Sequence, residues 1–142
     1  MKLDAIEIGT EIPRLEVQLA PDQVRRYALA IKMPGPRFFS DEAARKEGLP
    51  GQIVPGNMSM GLLSRMLLDW LPEARLDKLG VTFRGLVFPD KPICCSGFVT
   101  GRKEDHPGSV SLDCDLVLEC GGERRITGTA VLVVDRSEGV VG

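Results

Sequence analysis

The 142-residue chain is 43% hydrophobic and 27% charged, which excludes a disordered segment and is long enough for a domain that buries about 70% of its unfolded surface. Eighteen basic residues against twenty acidic ones, with a pI near 5.5, exclude the broad basic surface that nucleic-acid binding requires. Four cysteines with no C-x-x-C pair and a single histidine argue against a zinc site, and no metal or cofactor is expected.

At the N-terminus, Asp4 and Glu7 stand where a signal peptide would have its apolar run. No stretch approaches the ~18 uncharged apolar residues needed to span a bilayer; the richest, Met58–Leu71, is broken by Arg65 and Asp69. The expectation is a cytoplasmic protein without a membrane partner, its Cys94, Cys95, Cys114 and Cys120 reduced. Neither a linker nor an internal repeat divides the chain, so a single domain over residues 1–142 is expected.

Leu15–Leu19 alternates apolar and polar residues and reads as a strand. Pro21 then opens a helix at the position where a missing N–H costs nothing. Asp22 favours its positive end, and Val24, Tyr27, Ala28 and Ile31 line one face. Pro34-Gly35-Pro36 ends it. Ser40 caps a second, short helix, with Asp41 and Glu42 in the first turn, Arg45 and Lys46 in the last, and Gly48 at the C-terminal cap.

After a loop over Leu49–Gly56, a third helix is expected from Asn57 to Trp70, about 21 Å long. Met58, Leu62, Met66 and Trp70 mark one face, widened by Leu63, Leu67 and Leu68; a helix this apolar is buried. Strand-like runs follow at Leu76–Val87, Ile93–Thr100, Val110–Glu119 and Arg124–Val134, separated by Pro89-Asp90, His106-Pro107-Gly108 and Gly121-Gly122. Short connections imply an antiparallel sheet. The apolar helix must bury itself against that sheet, which makes an α+β chain with the sheet curled around a central helix.

Three stretches, Phe39–Gly48, Gly51–Met58 and Phe83–Ile93, resemble in their order the MaoC-like family of (R)-specific enoyl-thioester hydratases and dehydratases, over roughly residues 10 to 135. The resemblance implies a hot-dog fold that pairs as a dimer. It also implies an acyl thioester ligand, carried on CoA or acyl-carrier protein, in fatty acid or polyketide metabolism. On this likeness Gly56 is the glycine whose N–H, at the start of the central helix, stabilises enolate-like charge. The same glycine serves equally as a plain turn residue. The preceding residue, commonly histidine in the family, is Pro55 here.

Water addition to an enoyl thioester needs a base and an acid. The family supplies an aspartate and, five residues on, a histidine. Laid on this chain, those positions hold Pro34 and Phe39, or Met33 and Phe38 if the register slips by one. None of the four exchanges a proton. The stretch Met33–Phe39 contains one ionisable group, Arg37, which stays protonated in proteins. His106 falls in the polar segment Lys103–Gly108 and reads as an exposed turn residue.

Phe39 fits a hydrophobic staple on Ala44; Phe38 and Phe39 cannot share that niche, so one is left to line a pocket mouth. The expected substrate contacts are Gly56, Asn57, Phe38, Phe39 and Arg37. Asn57 is open to either ligand contact or helix capping, and Arg37, Arg84 and Arg102 are open to phosphates. Asp41 and Glu42 read as solvated first-turn carboxylates, Tyr27 as core, and the thiols as inert packing.

The expected function is a noncatalytic or supporting subunit that binds an acyl thioester, as a homodimer or paired with a catalytically complete hot-dog chain. The alternative is a divergent acyl-thioester lyase, isomerase or thioesterase using non-standard residues. A purely structural or ligand-sensing hot-dog protein is the third.

Overall fold

A computed structural model describes residues 3–33, 35–106 and 108–135. The alternation at Leu15 and Val17 gives β1 (Leu15–Gln18), and Pro21 opens α1 (Pro21–Ala30). Ala20 has no capping side chain, and its N–H is taken instead by Gln23 Oε1 at 2.7 Å. Ser40 caps α2 (Asp41–Lys46), its Oγ accepting from the Ala43 N–H at 3.0 Å. Gly48 leaves that helix at φ +87°, a conformation costly for any residue with a Cβ.

The long helix α3 (Gly56–Trp70) is followed by β2 (Arg75–Phe83), β3 (Pro92–His106), β4 (Ser109–Cys120) and β5 (Glu123–Asp135). The five strands form one antiparallel sheet in the order β1-β3-β4-β5-β2. Along β4, Leu112, Cys114, Leu116, Leu118 and Cys120 are buried, while Asp113 and Asp115 point the other way, as a two-residue repeat demands. Their cross-strand partners Leu132, Ala130 and Ile126 share the inner face. There Leu63, Met66, Leu67 and Trp70 of α3 join them in one core. This is the hot-dog arrangement.

Three details depart from expectation. The stripe of α3 that is most buried runs through Ser59, Leu63, Met66, Leu67 and Trp70, with Met58 and Leu62 only half-buried. A helix apolar almost all round does not state its own orientation. The second departure is that β2 stops at Phe83 rather than Val87. The N–H groups of Arg84 and Gly85 both turn to the Arg125 carbonyl, at 2.7 and 3.1 Å, and the Val87 carbonyl accepts from the Val54 N–H at 2.8 Å. The chain has left β5 to pair with the loop before α3.

In the third, β3 runs past Thr100 to His106, so the backbone of Lys103–His106 is strand and not turn. Register shifts between Val99 and Gly101 and between Lys103 and His106 absorb the extra residues. Within that extension, Arg102 Nη1 donates to the carbonyls of Leu3 and Ile6, at 2.7 and 2.8 Å, and pins the N-terminal turn. Pro107 lies outside the described residues. Among the described residues, no helix is long and apolar enough to cross a membrane.

Candidate functional site

The five residues Gly51–Pro55 that lead into α3 are all buried, so their polar groups need partners inside the protein. Gln52, 2% exposed, supplies most of them. Its Nε2 donates to the carbonyls of Phe38, at 2.8 Å, and Pro21, at 3.1 Å, while its N–H donates to Asp41 Oδ1 at 2.8 Å. The Asp41 carboxylate also lies 2.9 Å from where a Cβ on Gly51 would sit, so a side chain there would push against the carboxylate that holds the Gln52 N–H. On either side, the Ile53 N–H reaches the Arg37 carbonyl at 3.2 Å and the Val54 N–H reaches Val87. The loop is held from both flanks.

Pro55 takes the N-cap position of α3, with no N–H of its own; its carbonyl accepts from Met58 and Ser59, at 3.1 and 3.2 Å. The N–H groups of Gly56 and Asn57 have no acceptor among the described residues. They form the positive end of a 15-residue helix, where an oxygen bearing negative charge is stabilised.

Phe83, the last residue of β2, lies on the inner face opposite Ile126. Its ring covers Gly56, with Cζ and Cε1 2.8 and 3.0 Å from where a Gly56 Cβ would sit, yet the residue is 53% exposed. Three residues into the helix, Ser59 is 1% exposed and its Oγ is buried without a hydrogen-bond partner.

Of the residues singled out from the sequence, Gly56 stands at the helix start, and Asn57 beside it is exposed. Asn57 is the second residue of the helix and not its cap, a place Pro55 holds. Phe38 closes the 3-10 turn Pro36–Phe38 and is 6% exposed, packed with Ala28 and Ile53 in a satellite cluster. Phe39 and Met33 are half-buried against that cluster. Arg37 is exposed and pairs with Glu47 at 3.1 Å, its guanidinium 5.6 Å from the Phe38 ring centre. Pro34 lies outside the described residues.

Arg37, Phe38 and Phe39 are thus brought to the loop that ends at Gly56. Arg84 is spent on Thr127 Oγ1 at 2.9 Å and Arg102 on the N-terminal turn. Asp41 is tied to the loop as well as to its own helix. Burial pushes the Cys95 and Cys114 thiols from 9.0 up to about 12, Cys94 adding to the first shift and Asp113 and Asp115 to the second. Both are poor nucleophiles.

His106 is remote from this site. Phe83 faces Ile126, and Ile126 pairs with Leu118, whereas His106 pairs with Ser109. Leu118 stands nine positions along β4 from Ser109, about 30 Å along the strand and several times the reach of a side chain. Among the described residues, no group of three or more His, Cys, Asp or Glu side chains is placed to hold a metal ion.

A family model described as MaoC like domain matches residues 5–114. The chain belongs to the MaoC-like domain family. Among solved structures this MaoC-like chain is similar to the ChsH1-ChsH2 complex from Mycobacterium tuberculosis, with 21% identity over 90% of this chain and 98% of that one, at a TM-score of 0.81. It is also similar to the (R)-hydratase from A. caviae involved in PHA biosynthesis, with 22% identity, 90% and 96% coverage and a TM-score of 0.80. The MaoC-like dehydratase from Rhodospirillum rubrum superposes with a TM-score of 0.82 at 18% identity, covering 96% of this chain and 97% of that one. At such identities the likeness establishes the fold. No curated protein matches the sequence.

Sequence reasoning missed Gln52, Phe83 and Ser59. Gln52 carried a usable signal, since one polar residue inside Gly-Gln-Ile-Val-Pro must find partners if that run is buried. Phe83 carried none, because what it touches is distant in the chain. Chemically, the site can accept a carbonyl oxygen at the amides of Gly56 and Asn57. The segment Gly35–Phe39 beside it offers a fixed cation and two phenyl rings, and no group that moves a proton.

Proposed function

We propose that this MaoC-like domain binds an acyl thioester, of CoA or an acyl-carrier protein, with its carbonyl at the start of α3. On this reading it does not itself add or remove water. It acts as a supporting subunit beside a catalytically complete hot-dog chain. The single observation that carries this reading is the pairing of a retained helix start with phenylalanine at position 39, where proton transfer needs histidine. The other family position, the aspartate's, is Pro34 in the sequence. The remoteness of His106 supports it, since the only histidine of the chain cannot stand in.

A carboxylate-dependent thioesterase is disfavoured by Asp41, which is engaged by the loop N–H of Gln52, and by the absence of any acid between Met58 and Leu68. Pairing with a second hot-dog chain is supported by β2, an edge strand whose outer N–H and C=O groups have no partner strand among the described residues. The relative from Mycobacterium tuberculosis is itself a complex of two chains. Such a pair, in the cytoplasm, serves fatty acid or polyketide chemistry.

The test is to purify the chain alone and together with a co-expressed hot-dog partner. Each preparation is then assayed for loss of the conjugated enoyl-CoA chromophore. The expected outcome is no hydration by the isolated chain, binding of acyl-CoA by calorimetry, and activity only in the mixed complex. Turnover by the isolated chain, abolished by His106→Ala, overturns the noncatalytic reading.

A further inference from the structure

Phe83 is out of keeping with its strand. Leu76, Leu79 and Val81 of β2 pack against the core, whereas Phe83, on the same inner face, leaves half its surface open. What it does touch is Gly56. The ring Cζ is 2.8 Å from the place of a Cβ on that glycine, and that place is about 2.5 Å from the glycine nitrogen by standard backbone geometry. The ring therefore lies within about 5 Å of the nitrogen. A carbonyl oxygen accepting from the Gly56 N–H stands about 2.9 Å from it. An acyl chain that runs from such a carbonyl toward the end of β2 meets the phenyl ring.

A second observation points to a ligand at the same place. Ser59 Oγ is sealed from solvent and has no partner, a condition that costs stability and is rarely kept without cause. Three residues beyond Gly56, Ser59 lies on the same side of the helix, and its Cα–Cβ bond leans back toward the helix start.

We infer that Phe83 determines which acyl groups enter. It admits those unbranched at the carbon beside the carbonyl and excludes α-branched ones, while the Ser59 hydroxyl donates a hydrogen bond to the bound thioester. The inference rests on the acyl-thioester reading above. Phe83 acts by occupying space and Ser59 by supplying a donor; neither takes part in a covalent step.

The experiment is calorimetric titration of the full chain, with its partner if it purifies with one, using butyryl-CoA and isobutyryl-CoA. Wild type is expected to prefer the straight chain about tenfold, the scale of one misplaced methyl group. Phe83→Ala should reduce that preference to twofold or less, and Phe83→Leu should fall between and serve if the alanine variant does not fold. Ser59→Ala should weaken both ligands several-fold, leave the preference unchanged, and melt at or above the wild-type temperature, because an unpaired buried hydroxyl has been removed.

Failure of wild type to bind either ester overturns the thioester reading and this inference with it. Binding by wild type with a preference that both Phe83 variants retain overturns the role of Phe83 alone. A Ser59→Ala variant that melts lower and binds as tightly as wild type assigns that serine to packing and overturns its role as donor.

Discussion

Replacing Gly56 by alanine sets two effects of opposite sign against each other. Alanine is the better helix former, by up to about 1 kcal/mol within a helix. The new methyl, however, lands 2.8 Å from Phe83 Cζ and 3.0 Å from Cε1, a degree of overpacking that costs about 1–3 kcal/mol. Phe83 ends an edge strand and is half exposed, so the ring can yield, which places the cost at the lower end. The expected net loss for Gly56→Ala is about 1 kcal/mol, or about 3–5 °C in melting temperature for a chain of this size. In a Phe83→Ala background the obstacle is gone, and Gly56→Ala becomes neutral or slightly stabilising. A double-mutant cycle by urea unfolding should therefore return a coupling of about 1–2 kcal/mol between the two positions. All four proteins must be compared at one concentration, since assembly shifts apparent stability. An alanine at 56 that costs the same with and without the phenyl ring refutes the contact on which the site description stands.

Gln52→Leu should destabilise the chain by about 2–4 kcal/mol, because the carbonyls of Pro21 and Phe38 both lose their donor inside the protein; an unchanged urea midpoint would show the amide to be dispensable. Native protein should yield one quickly reacting thiol to dithiobis-nitrobenzoate, the half-buried Cys94, with the other three appearing only on unfolding; two or more fast thiols contradict the burial. The thiols of Cys95 and Cys114, held at about 12 when folded against 9.0 when exposed, keep their protons as the unfolded chain loses them. Their contribution is complete below pH 9 and is lost as pH rises from there toward 12, at about 1.4 kcal/mol per pH unit for each thiol. Unfolding at pH 8 and 10 in reducing buffer should show this slope, and a Cys95→Ala/Cys114→Ala variant that keeps it would disprove the assignment. Arg102→Ala should release the carbonyls of Leu3 and Ile6 and raise amide exchange at the N-terminal turn; exchange there at the wild-type rate counts against the clamp.

Local signals were the ones legible in the sequence. Ser40 and Gly48 bracket α2 because both act within a turn of their own position, and the two-residue repeat of β4 separates core from solvent without outside help. The start of α3 was legible to within one residue, since proline at a cap leaves no side-chain signature to fix it further. Strand ends were least legible. The same apolar run continues from Phe83 to Val87, and only the competition between Arg125 and Val54 for backbone pairing decides where β2 stops. Of the candidate site, the glycine, the two phenylalanines and Arg37 were nominated from the order of motifs alone. Phe83 and the partners of Gln52 were not, because those contacts exist only once the sheet has folded back over the helix.

The fixing of residues 51–55 from both flanks has a consequence for traffic. Nothing in that segment is free to swing aside without stranding several buried backbone groups, so a ligand cannot come or go through it. If a thioester binds at the start of α3 as proposed, the half-exposed Phe83 beside the edge of β2 marks the way in. A chain docked along that edge would then act as doorkeeper, and the rate at which ligand escapes would follow how often the two subunits part.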